Sequence, residues 1–138
     1  MARQVKQNAN IAPTDDYLNL DQLDYFKTKL LDHKKDVLQK LKRIKEDIKT
    51  MQFENADLLD RSNLIAAREQ AIDFSSRYGQ LIRQIDKALD RIEDGSFGYC
   101  ELTGEEIGFK RLEIQPWTNL CTEALEEIER NAALTGNS

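Results

Sequence analysis

Two cysteines and a pair of aspartates are the residues whose types and spacing suggest chemistry. Cys100-Glu-Leu-Thr103 and Cys121-Thr-Glu-Ala124 are separated by 17 residues, counted between Thr103 and Cys121. With cysteine at Thr103 and Ala124 the pattern would be C-x2-C-x17-C-x2-C, the spacing of a structural zinc site. Threonine is a poor zinc ligand and alanine is none, so only two thiolates remain. Two protein ligands do not close a tetrahedron, and the sequence therefore predicts a degenerate, metal-free knuckle. Its stability must come from packing, with Phe97, Tyr99, Ile107, Phe109, Leu112, Ile114 and Trp117 as the candidate core. Nothing in the flanking sequence is expected to lower either thiol pKa. A redox-sensitive Cys100–Cys121 pair stays open as a minority reading.

Asp57 and Asp60 lie in the acidic stretch ENADLLDRSN, Glu54 to Asn63. Carboxylates held there would act through hydrogen bonds to basic or amide groups of a partner. A hydrolase using them as metal ligands or as an acid–base pair is disfavoured, because an exposed bend offers no pocket in which to tune a carboxylate.

The elements that position these residues are two long helices. Leu23, Phe26, Leu30, Val37, Leu41, Ile44, Ile48 and Met51 mark one apolar seam, with His33 and Lys34 spanning its gap. Leu64, Ala67, Ala71, Phe74, Tyr78, Leu81, Ile85, Ala88 and Ile92 mark a second, in unbroken alternation of three and four. That alternation is the heptad signature of a left-handed coiled coil. A thirty-residue helix rising 1.5 Å per residue spans on the order of 45 Å. The short connection favours an antiparallel hairpin over residues 20–94 with its tip at 54–63; an intermolecular coiled coil is the alternative.

Helix one should begin near Asn19 or Asp21, and helix two should stop at Asp94-Gly95. Phe74 and Tyr78 fall on the seam and read as core. The helix-one lysines and Arg68, Arg77, Arg83 and Arg91 read as outer-face charges, and His33 as a surface residue. Residues 95–138 change character: glycines and aromatics without a helical period suggest a small globular region with short strands. The glycines suit turns better than a phosphate loop. Thr118 or Asn119 is expected to cap a C-terminal helix running through Leu125 and Ile128 to Leu134. Residues 1–19 read as a flexible segment whose end, through Tyr17, Leu18 and the adjoining Leu20, could dock on the body.

Composition narrows the function class. The 138 residues are 40% hydrophobic and 33% charged, the balance of long amphipathic helices. A net charge of −5 argues against nonspecific DNA binding. Lys27 to Lys49 carries nine Lys or Arg against four acids, while Asp86 to Glu113 carries eight acids against four bases. Such asymmetry suits a protein partner that reads two differently charged faces. No apolar run spans a bilayer and the N-terminus lacks a signal-peptide core, so a cytoplasmic protein with free thiols is expected.

Four segments together identify a family resemblance: Asp57-Leu-Leu-Asp60-Arg-Ser62, IEDGSFGYC ending at Cys100, EEIGFKRLE from Glu105, and Pro116 to Cys121 with the spacing P-x-x-x-L-C. Over roughly residues 21–130 the chain resembles the DksA/TraR family of bacterial transcription regulators, and specifically members that lack zinc and carry Cys-Thr and Cys-Ala at the ligand positions. The resemblance implies a monomer, not an enzyme, that binds RNA polymerase directly and recognises no DNA sequence. It implies that the globular part and adjoining coil grip the rim of the secondary channel while the coiled coil enters it. The tip then modulates open-complex stability, repressing ribosomal RNA promoters and activating some amino-acid biosynthesis promoters, with ppGpp as co-regulator in the stringent response.

Carried onto this chain, the tip residues are Asp57, Asp60 and Ser62, where Ser62 replaces the usual alanine. The polymerase- or ppGpp-contacting candidates are Arg77, Leu81, Lys110 and Arg111. Gln84, Gln115 and Leu125 stand where the family carries basic residues, which puts the ppGpp response in doubt. The vestigial zinc-ligand positions are Cys100, Thr103, Cys121 and Ala124. The competing reading is a structural coiled-coil adaptor with a decayed zinc knuckle and no effect on transcription.

Overall fold

A computed structural model describes residues 17–51 and 57–135 of the chain. Four helices follow in order: α1 (Leu20–Thr50), α2 (Leu58–Asp94), α3 (Phe109–Ile114) and α4 (Thr122–Leu134). The first two form the long helical hairpin that the paired seams call for. Among the described residues no helix is long and apolar enough to cross a membrane.

Local chemistry sets the helix ends. The Asn19 side chain accepts the Gln22 N–H at 2.8 Å, and the Gln22 side chain accepts the Asn19 N–H at 2.9 Å. This reciprocal capping box makes Asn19, not Asp21, the start of α1. Helix α2 begins at Leu58, earlier than the seam at Leu64 suggests. Asp57 explains the difference: its carboxylate accepts the Asp60 N–H at 2.9 Å and its carbonyl the Arg61 N–H at 2.8 Å. Residues 58–63, expected in the bend, are therefore helical, whereas the Glu54–Ala56 part of the expected tip lies outside the described residues. At the other end of α2, Gly95 adopts a φ of 88°, and the N–H groups of Gly95, Ser96 and Phe97 all turn to the Arg91 carbonyl.

The chain divides into two compact units, one of Leu31–Gln84 (the arm) and one of the described parts of Met1–Leu30 and Ile85–Ser138 (the base). In the arm Val37 is buried, while Leu41, Ile44, Ile48, Leu64, Ala71, Tyr78 and Leu81 are half-buried. His33 and Lys34 are half-buried as well, within the gap of the seam. Ala67, on the same seam, is exposed, and Phe74 departs from expectation too. It is 40% exposed, with the Arg77 guanidinium 5.7 Å from its ring centre. Two paired helices cover a seam position from one side only, so a large ring stays partly in water.

The base has a true core. Phe26, Leu30, Ile85, Ala88, Phe97, Ile107, Leu112 and Pro116 are buried, and the Phe26 ring packs against those of Phe97 and Phe109 at 5.6 and 5.2 Å. Full burial of such side chains is worth roughly 1.5–3 kcal/mol each. Of the expected knuckle core, Phe97, Ile107 and Leu112 are buried and Trp117 is half-buried, but Tyr99, Phe109 and Ile114 are exposed by 38, 42 and 81%. The hairpin ends supply what the knuckle lacks.

The expected short strands reduce, among the described residues, to a single antiparallel bridge between Tyr99 and Glu106. Glycines at 98, 104 and 108, all with positive φ, interrupt the extended backbone that a longer ladder requires. The six-residue helix α3 occupies part of the remainder. Tyr17 and Leu18 dock on this region as expected. Tyr17 Oη accepts the Gly108 N–H at 2.7 Å, whereas Leu20 is 83% exposed. A Cβ on Gly98, at φ 93°, would lie 2.9 Å from both Leu18 and Tyr17 side chains, so glycine is required there.

Candidate functional site

The loops at Cys100–Thr103 and Cys121–Ala124 share one local arrangement. The Cys100 Sγ accepts the Thr103 N–H at 3.5 Å, and the Cys121 Sγ accepts the Ala124 N–H at 3.4 Å. In each loop the sulfur thus holds the amide of the position where the second ligand would stand. Cys121 thereby caps α4, in place of the expected Thr118 or Asn119. Both cysteines are free and buried. Burial by itself pushes the Cys100 thiol up. The Thr103 hydroxyl and the N–H groups of Cys121, Thr103 and Leu102 outweigh it, bringing the pKa from an ordinary 9.0 down to about 6. Three of these donors belong to the Cys100 loop itself, and the fourth, the Cys121 N–H, is brought up by folding.

Arginine ties the loops to the rest of the base. Arg91, expected on an outer face, is only 8% exposed. Its guanidinium donates to the Thr118 carbonyl at 3.3 Å and to the Glu101 carboxylate at 3.4 Å. Burial lowers its pKa, opposed by the charges of Glu101 and Asp94. Arg111 donates through Nε to the Leu120 carbonyl at 2.9 Å and through Nη2 to the Thr118 hydroxyl at 3.5 Å. Leu112 is buried, and Glu113 accepts from the Tyr25 hydroxyl and from Lys29, the latter at 3.0 Å. These Tyr25 and Lys29 bonds hold the Glu113 carboxyl below its ordinary range, and the Glu113 bond raises the Lys29 pKa. The Arg-Leu-Glu run at 111–113 therefore fastens α3 on three sides, a role that its spacing alone does not reveal.

At the tip, Asp57 and Asp60 have different situations. Asp57 commits its carboxylate to the helix cap, while Asp60 stands exposed in the first turn of α2, with Ser62 exposed beside it. The other candidates fall in separate units. Arg77 is exposed and Leu81 half-buried in the arm; Lys110 is exposed and Arg111 half-buried in the base.

Comparison with known proteins covers both units. Residues 22–92 match the family described as the N-terminal domain of the DnaK suppressor protein DksA, and residues 95–130 match the prokaryotic dksA/traR C4-type zinc finger. The RNA polymerase-binding transcription factor DksA of Caulobacter vibrioides is 39% identical over 126 residues, covering 90% of this chain and 89% of that protein. The Escherichia coli K12 protein of the same name is 34% identical over 112 residues, covering 79% and 72%. Among solved structures, transcription factor DksA2 from Pseudomonas aeruginosa aligns with a TM-score of 0.75 at 27% identity, covering 85% of this chain and 90% of that one.

A C4-type finger implies zinc, and the donors present here do not fit it. Ala124 offers no ligand atom, and the Thr103 hydroxyl is turned to the Cys121 sulfur at 3.9 Å and to the Glu105 N–H at 3.2 Å. Among the described residues no group of three or more His, Cys, Asp or Glu side chains is placed to hold a metal ion.

Proposed function

The chain belongs to the DksA/TraR family, and on that basis we propose that it is a transcription regulator that binds bacterial RNA polymerase directly, without zinc and without recognising DNA sequence. It acts as a cytoplasmic monomer. The base and adjoining coil hold the rim of the secondary channel, and the hairpin enters the channel so that its tip reaches the neighbourhood of the catalytic centre. There it alters open-complex stability, repressing ribosomal RNA promoters and activating some amino-acid biosynthesis promoters.

The observation that carries the tip assignment is the division of labour between its acids. Asp57 caps α2, which leaves Asp60 as the exposed tip carboxylate not engaged in the cap, presented by the capped first turn. A fixed carboxylate can perturb mobile elements through charge-assisted hydrogen bonds without doing chemistry itself. Response to ppGpp is weakened. Gln84, Gln115 and Leu125 carry no charge, and Arg111 is engaged with the Leu120 carbonyl.

The test is open-complex lifetime and transcript yield at a ribosomal RNA promoter with purified polymerase. Wild-type protein should shorten the lifetime, and Asp60→Asn should bind polymerase equally while losing about tenfold or more of that effect. Binding without any change in lifetime would favour the adaptor reading, and equal inhibition by Asp60→Asn would remove the tip assignment.

A further inference from the structure

A zinc ion in this fold would cross-link the loop at residues 100–103 to the loop at 121–124, and the donors for it are missing. The two regions are nevertheless joined. The Glu101 N–H donates to the Asn119 carbonyl at 2.9 Å, and the Asn119 side-chain amide donates to the Glu101 carboxylate at 2.8 Å. One side chain ties this clasp to the helix behind it. Arg91 reaches Glu101 on the first loop and the Thr118 carbonyl at the entry to the second, from the last turn of α2.

The Glu101 side chain is 52% exposed, so what distinguishes the cross-link from a surface ion pair is the burial at Arg91 and Thr118. Arg91 and Thr118 are 8 and 7% exposed, and the Arg91 Nε is buried without a partner. A guanidinium withdrawn from water with one N–H unmet is costly to hold. Its fork geometry suits a carboxylate and a carbonyl at once, which a lysine ammonium does less well. The Arg91 backbone adds to the same junction, since its carbonyl takes the N–H groups of Gly95, Ser96 and Phe97.

We propose that the Arg91 guanidinium is the positioning residue that cross-links the two former ligand loops, in the place where a zinc-bearing knuckle relies on its metal. A cross-link of this kind should be redundant with a metal, whereas ordinary core packing should not.

The experiment is a cycle on the full chain. Arg91→Met is made in the native background and in a Thr103→Cys/Ala124→Cys background loaded with one zinc. In the native background Arg91→Met should lower the Tm by about 10 °C. With zinc bound, the same substitution should cost less than half as much, and a chelator should restore the full loss. Equal losses in the two backgrounds would reduce Arg91 to a packing residue and overturn the proposal. A second readout needs no metal. Amide exchange at Glu101, whose N–H bonds Asn119, should accelerate at least tenfold in Arg91→Lys while Ile85 keeps its protection. Unchanged protection at Glu101 would equally overturn it.

Discussion

Helices α1 and α2 run through both units, yet they are stabilised differently in each. In the base they close Phe26, Leu30, Ile85 and Ala88 to 0% exposure beneath the knuckle. In the arm, Val37 is the one buried residue among those described; Ala67 and Phe74 are exposed and the other seam positions half-buried. The base is covered from several sides and cross-linked by buried polar groups; the arm rests on its seam, with exposed fastenings such as the Asp57 cap and the Lys40–Asp36 pair. The difference lies in how many sides of the two helices are covered. It also predicts that similar substitutions will have unequal effects in the two.

The largest effect should come from Phe26→Ala. It removes a fully buried ring from the centre of the Phe97 and Phe109 cluster, at a cost of about 3–5 kcal/mol. Leu41→Ala, at a half-buried arm position, should cost less than half of that. Urea unfolding of the two variants measures the contrast. Similar losses would mean that the arm is as tightly packed as the base.

A second test probes the polar side of the base. The folded Cys100 thiol has a pKa of about 6, against an ordinary 9.0. Because the folded value is the lower one, the thiolate stabilises the fold fully above pH 9 and loses that contribution as pH falls through 6. In a Cys121→Ser variant, thiolate absorbance should titrate near pH 6 when folded and near 9 in urea. Thr103→Val should move the folded midpoint upward. A folded midpoint near 9 in the presence of Thr103 would show that the loop donors do not favour the thiolate.

Sequence and structure agree where periodicity governs burial. Every helix-one seam residue from Leu23 to Met51 is buried or half-buried, whereas His33 and Lys34, expected on the surface, are half-buried within the gap. Other features depended on signals that periodicity does not carry. The start of α2 is set by a polar cap at Asp57, not by an apolar step, and the six residues of α3 are too few to show a period. Arg91 was misread because heptad reasoning sees one partner helix, whereas the knuckle covers α2 from a second side at this turn. The clue was its position three residues after the buried Ala88 and just ahead of the glycine stop. Of the Cys100 donors, the Thr103 hydroxyl and the Thr103 and Leu102 amides lie within three residues of the sulfur, whereas the Cys121 N–H comes from a residue distant in the chain.

The smallest effect lies at the arm's own polar fastening. Asp57→Ala deletes the side chain that accepts the Asp60 N–H, and loss of such a cap costs about 1 kcal/mol. The first turn of α2 has little else to hold it, since Leu58 and Leu59 are 81 and 70% exposed. The loss should therefore be local. Exchange at the Asp60 and Arg61 amides should accelerate while the base core keeps its protection and the melting temperature changes little. Asp57→Asn, which retains an acceptor oxygen, should keep most of the protection. If the turn also has to present the Asp60 carboxylate, Asp57→Ala should weaken promoter inhibition more than Asp57→Asn does, and Asp60→Asn should abolish inhibition with no loss of protection. Frayed amides with full inhibition would separate the order of this turn from the work of its carboxylate.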